Sequence, residues 1–187
     1  MDESEGAGRR TALKRAREVS VPAGSLVGKA FAVASYADAY AIDLPLGRVP
    51  DVDTLMRLLV ASAPRWADQL MWLRDRIVSM FGLRTSRAHV APTNSTARLQ
   101  PDDVVGIFTV CARSDDEILF GGNDRHLNFR ASILIQRGPA RSYAVVTTVV
   151  HFNNWLGRAY FIVVRPFHRL IVSSMLRNLL RQLEQFS

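Results

Sequence analysis

The chain has 187 residues, 48% hydrophobic and 22% charged, with a formal net charge of +7. That is enough for one domain with a real core and not for two. The cationic excess does not make a nucleic-acid binder, because the basic residues are scattered and interleaved with Asp102-Asp103 and Asp115-Asp116-Glu117, and a basic patch is the relevant footprint.

Residues 1–24 mix charges of both signs with Gly, Ser and Ala and lack a long apolar run. They read as a disordered tail, not a secretory leader, with one domain over 25–187. A first strand is expected over 36–44, broken by Pro45 and Pro50. Asp51 then has the chemistry of an N-cap, and Val52, Leu55, Met56, Leu59 and Val60 recur at helical spacing, giving a short helix to about Ala61. Pro64 restarts the chain. Trp66, Leu70, Leu73, Ile77 and Met80 or Phe81 mark a second helix that ends at Gly82. Residues 85–102 read as a loop or a broken strand.

Four strand-like runs follow, at 104–113, 117–120, 126–137 and 141–152. Turn chemistry separates them at Ser114-Asp115-Asp116, Gly121-Gly122-Asn123-Asp124 and Gly138-Pro139. Separators this short imply antiparallel hairpins. Cys111, the single cysteine, sits in the first of these runs and is expected to be a buried, inert thiol. One cysteine allows no intrachain disulfide, which points to a reducing, cytoplasmic setting. Residues 155–164 suit a buried helix or a strand equally. Pro166 can open a last helix, with Val172, Leu176, Leu179, Leu183 and Phe186 as its buried stripe and Arg165, Arg169, Arg177 and Arg181 on another face. No uninterrupted apolar stretch approaches the ~20 residues of a membrane span.

The fold class is therefore α+β: a strand, two short helices, an antiparallel meander and a long C-terminal helix. This is the order of a helix-grip fold, in which a curved sheet wraps the last helix and a cavity can remain between them.

The polar residues that interrupt this apolar half are the candidate site. In the strand from His126, alternation puts His126, Asn128 and Arg130 on one face and Phe129, Ala131 and Ile133 on the other. His151 ends the neighbouring strand and comes to the same end if the two strands pair. Asp124 lies two residues from His126 and can orient its imidazole. Arg158, Tyr160 and His168 follow at the start of the helical region. The candidate ligand-binding set is thus Asp124, His126, Asn128, Arg130, His151, Arg158, Tyr160 and His168, with Asp124, His126 and Arg130 as catalytic candidates. Arg130, flanked by core residues, is expected to be buried and held by a carboxylate, first of all Asp124. No compact metal-ligand spacing, phosphate loop, dinucleotide-binding glycine pattern or nucleophile elbow is present, so neither a metal nor a cofactor is expected.

Four segments carry a resemblance. Tyr36-Ala37-Asp38-Ala39-Tyr40, Gly121-x-x-Asp124-x-His126-Leu127-Asn128-Phe129-Arg130, Asn154-x-x-Gly157-Arg158-x-Tyr160 and Pro166-Phe167-His168-Arg169 together resemble the domain-of-unknown-function 2867 family. The resemblance spans about residues 36–180. It implies a fold of the helix-grip superfamily (START/polyketide-cyclase-like, SRPBCC) and an apolar pocket, but no established activity. Asn128 stands where many relatives are expected to carry an aspartate.

Three readings follow. The first is a domain that binds a small apolar or lipid-like molecule between sheet and helix. The second is a cyclase- or dehydratase-like enzyme using His126 with Asp124 as acid–base pair and Arg130 to stabilise an oxyanion. The third is an interaction or membrane-surface module built on the arginine-bearing last helix.

Overall fold

The computed structural model describes residues 16–45, 49–67, 98–139 and 141–185. The strands are β1 (Arg17–Glu18), β2 (Tyr36–Asp43), β3 (Val104–Val105), β4 (Phe108–Arg113), β5 (Glu117–Asn123), β6 (Leu127–Arg137) and β7 (Ser142–Phe152). Among the described residues the two long helices are α1 (Val52–Ala61) and α2 (Trp155–Gln185), with a single 3-10 turn at Val27–Lys29. All seven strands join one open, curved antiparallel sheet in the order β1-β2-β7-β6-β5-β4-β3, and α2 packs on it. The architecture is α+β and fits a helix grip.

Alternation fixes what each face of the sheet meets. Ile42, Ile118, Phe120, Ala131, Ile133, Ile135, Ala144 and Val146 point to the helices. They form the main core with Val52, Leu55, Met56 and Leu59 of α1 and Leu176, Leu179 and Leu183 of α2. The opposite face is covered by the segment after β1, residues 19–33, which leaves the sheet edge and runs across it as a strap. Val27 packs there with Leu119 and Val149, while Val19 packs with Ala39, Ala41 and Val145. The Val19 amide donates to the Ala39 carbonyl at 2.9 Å, one more rung of the β1–β2 pairing before the chain turns onto the face.

Most elements follow from local chemistry. The Asp51 carboxylate accepts from the Thr54 amide at 2.7 Å and caps α1 as its sequence position implies. Several expectations are corrected. The run at 104–113 is two strands, because Gly106 adopts φ +63° and turns the chain. Gly121, Gly122 and Asn123, read as a turn, continue β5 to pair with Asn128, Phe129 and Arg130. Residues 155–164 are helical, and Pro166 does not open a helix but lies inside α2. Its missing N–H would have served the Ile162 carbonyl, on a side of the helix where both residues face solvent. Cys111 is exposed, not buried. The pairing register shifts between Val110 and Ala112, so Cys111 is the extra residue of a bulge, and Arg113 is turned toward α1. Of the tail expected over 1–24, residues 16–24 are described, and Arg17 and Glu18 pair there with Ala41 and Tyr40 as β1. The second expected helix beyond Ala67, its Met71 and Trp72 included, most of the 85–102 loop, and Phe186 lie outside the described residues.

Candidate functional site

The two polar clusters singled out in the sequence do meet, at the end of the sheet where β7 passes into α2. The Asn153 amide group donates to the Asp124 carbonyl at 2.7 Å, and its backbone N–H donates to the His126 carbonyl at 2.8 Å. The side-chain amides of Asn153 and Asn128 face each other at 3.3 Å. The Asn154 amide donates to the Arg125 carbonyl at 3.0 Å, and its oxygen accepts from the Gly157 N–H at 3.1 Å, closing the first turn of α2. The His126 imidazole Nδ1 lies beside the same amide, at 3.2 and 3.3 Å. Gly157 is buried against this turn, and a Cβ there would run into the His126 carbonyl oxygen. The clusters therefore clasp the β5–β6 turn to the start of α2. Asp124 accepts from the Arg125 N–H at 2.6 Å and does not bond His126, so the expected acid–base pair is not assembled.

Arg130 and His151 share the strap face, away from α2. Arg130 is half-buried and has no carboxylate partner among the described residues, which corrects the expected buried ion pair. Its guanidinium donates to the Phe129 and Gly122 carbonyls at 2.8 and 3.2 Å and lies 5.6 Å from the Phe31 ring centre. The His151 ring stands 5.8 Å from the same ring, with Nδ1 3.0 Å from the Val33 carbonyl oxygen. Phe31 thus fills the space in which these two side chains were expected to receive a ligand. Arg158 is exposed at the start of α2, and Tyr160 is half-buried.

The chemistry on the helix face is elsewhere. Asp38, in the middle of β2, is buried, with its side chain only 2% exposed. It accepts from the Tyr36 hydroxyl at 2.6 Å and pairs with His168 Nε2 at 3.1 Å. To donate, that imidazole must carry its proton on Nε2. Burial pushes the Asp38 carboxyl upward more than any single other influence. The hydrogen bond and charge of His168, the Tyr36 hydroxyl and the Arg169 charge together outweigh it and hold the group below its ordinary value. The Tyr36 hydroxyl is raised, first by burial and then by its bond to Asp38, with Arg169 opposing. Aromatic rings wall the cluster. Phe161 lies 4.7 Å from Tyr36 and 5.4 Å from Phe152, and the Arg165 guanidinium sits 5.3 Å from the Tyr36 ring centre.

Of the residues expected in the site, the helix face supplies His168. Tyr36 and Asp38 were missed, although alternation along Tyr36-Ala37-Asp38-Ala39-Tyr40 already put an acid between two tyrosines on one face of a strand. A second buried acid, Asp53 of α1, is held by Arg113 through contacts of 3.0 and 3.2 Å and by the Leu99 N–H at 2.7 Å. Arg113 also donates to the Leu99 carbonyl. A third, Glu117, accepts from the Leu26 and Val27 amides of the strap at 2.7 and 3.3 Å. Among the described residues no three His, Cys, Asp or Glu side chains come together as metal ligands.

The family described as "Protein of unknown function (DUF2867)" matches residues 30–175. No curated protein and no solved structure matches the chain. Residues 30–175 take in both polar clusters, β2 and the crossing of α2 over it, and the chain belongs to the DUF2867 family.

Proposed function

We propose that this domain binds a small apolar or lipid-like molecule between the sheet and α2, with Tyr36, Asp38 and His168 as its polar anchor. The observation that carries the reading is the Asp38 carboxylate. It lies buried on the sheet face beneath α2, it is bonded to two side chains that both carry exchangeable protons, and the ring of one of them, Tyr36, packs against Phe161. An apolar pocket with a few convergent polar groups is the usual form of a small-molecule site. The clasp residues Asp124, His126, Asn128 and Asn154 hold the start of α2 in place in this reading, and Arg130 and His151 hold the strap.

Xenon-pressurised NMR followed by titration with medium-chain fatty acids and alkyl alcohols tests it. Xenon should shift methyl and aromatic resonances around Phe152, Phe161 and Val172, and a binding alcohol or acid should perturb Tyr36 and His168. Shifts confined to the protein surface would sink the proposal. A catalytic version would use the His–Asp pair that the described residues form on this face, His168 with Asp38, in place of His126 with Asp124. His168→Gln would then abolish turnover of a bound substrate while sparing the xenon response.

A further inference from the structure

The two halves of α2 have different surroundings. From Val172 onward, Leu176, Leu179 and Leu183 are fully buried in the core. Before it, Trp155, Ile162, Val163, Phe167 and Leu170 are exposed, Trp155 by 79% and Ile162 by 69%. At 3.6 residues per turn these five lie on one arc, with Ala159 and Pro166 between them. Arg158, Arg165 and Arg169 fall together along one edge of that arc, between it and the buried side. No acidic residue occurs on the helix before Glu184. The acids whose charges reach this ridge from outside the helix, Glu18 and Asp38, both belong to the neighbouring strands β1 and β2.

We infer that the exposed half of α2 is a docking face for an anionic lipid surface, with the helix lying in the plane of the interface. Lipid supplies what the face lacks: an apolar layer for the aromatic and aliphatic arc, and negative headgroups for the arginines beside it. Trp155 at the helix start is the residue type that anchors at such boundaries. By length and composition 155–184 could cross a membrane. Crossing would pull Leu176, Leu179 and Leu183 out of the core, whereas lying flat uses only side chains that are already exposed. A second copy seated on the same face would bring no carboxylate from the exposed half of its own α2 to the arginines. This inference is independent of the small-molecule reading.

Flotation of the full chain with vesicles of phosphatidylcholine, alone and mixed with phosphatidylglycerol, tests it at low and moderate salt. The chain should float with the mixed vesicles at low salt, less at moderate salt, and stay at the bottom with phosphatidylcholine alone. Arg158→Glu should lower the apparent affinity about fivefold or more, the factor for one cation near an anionic surface. An Ile162→Asp, Phe167→Asp variant should no longer float, with an unchanged melting profile. No flotation at low salt overturns the inference. Flotation that survives in the folded double variant overturns it as well. So does a concentration-dependent dimer in sedimentation that the double variant dissolves, because the occupant is then a second copy.

Discussion

Two buried aspartates under the helices are satisfied in different ways. At the α1 corner, Asp53 meets Arg113 in a two-point contact with side chains 13% and 10% exposed. Where α2 crosses β2, Asp38 meets His168 and Tyr36. A guanidinium is charged at every pH a protein survives, so the first arrangement is fixed. An imidazole and a phenol can each give up or take a proton and can turn to other partners. The first corner therefore holds the fold, and the second can respond to what binds beside it.

The largest effect should come from breaking the fixed pair. Arg113→Ala leaves a buried carboxylate without its cation and should cost about 3–5 kcal/mol. His168→Ala leaves Asp38 one hydrogen bond and room to rearrange, and should cost about 1–3 kcal/mol. Denaturant midpoints of the two variants measure the difference. Equal losses would mean that the α2 crossing is as rigidly structural as the α1 corner, and the proposed anchor would lose its rationale.

Acid sharpens the same comparison. The Asp38 carboxyl is held below its ordinary value in the folded chain. Its contribution is therefore present above the unfolded value of about 3.9 and is lost as pH falls through the lower folded value. Asp38→Asn removes that contribution at neutral pH and has nothing left to lose below it. Midpoints at neutral pH and below pH ~3.9 should fall more for the native chain than for Asp38→Asn. A parallel decline would show that Asp38 is not held ionised by its neighbours.

Arg130 separates what was legible in the sequence from what was not. The first strand, the α1 cap at Asp51, the alternating faces of β6 and the α2 stripe of Val172, Leu176, Leu179 and Leu183 are local or periodic, and each stands in the structure. The clusters around His126 and Asn154 do meet, because hairpin pairing brings them to one end of the sheet. Their roles were not legible, because backbone carbonyls leave no mark in a sequence. Asn153 and Asn154 bond three such carbonyls, and Arg130 bonds two. The strap was missed because residues 19–33 carry no period, and the true partner of Arg113 depends on a bulge that turns it toward α1. Arg130→Ala should consequently cost about 1 kcal/mol, the worth of hydrogen bonds to neutral acceptors, and not the roughly 2–4 kcal/mol of a broken buried ion pair. A loss in the larger range would mean that a carboxylate reaches Arg130 in solution.

The smallest effect is expected where a buried polar group has no partner to lose. Ser132 of β6 and Thr147 of β7 stand directly opposite each other on the strap face, fully buried, and neither hydroxyl has a hydrogen-bond partner among the described residues. Both have already given up water without a protein bond in return, so deleting the hydroxyl removes a cost and not a contact. Ser132→Ala and Thr147→Val should each leave stability unchanged or raise it by up to about 1 kcal/mol. The double variant should equal the sum of the two, because there is no bond between the hydroxyls to break twice. A loss of about 1 kcal/mol or more in either single variant, with a non-additive double, would place a shared bridging water between them. In that case the strap face also holds a satisfied polar pair, and the contrast with Asp53 and Arg113 becomes one of charge alone.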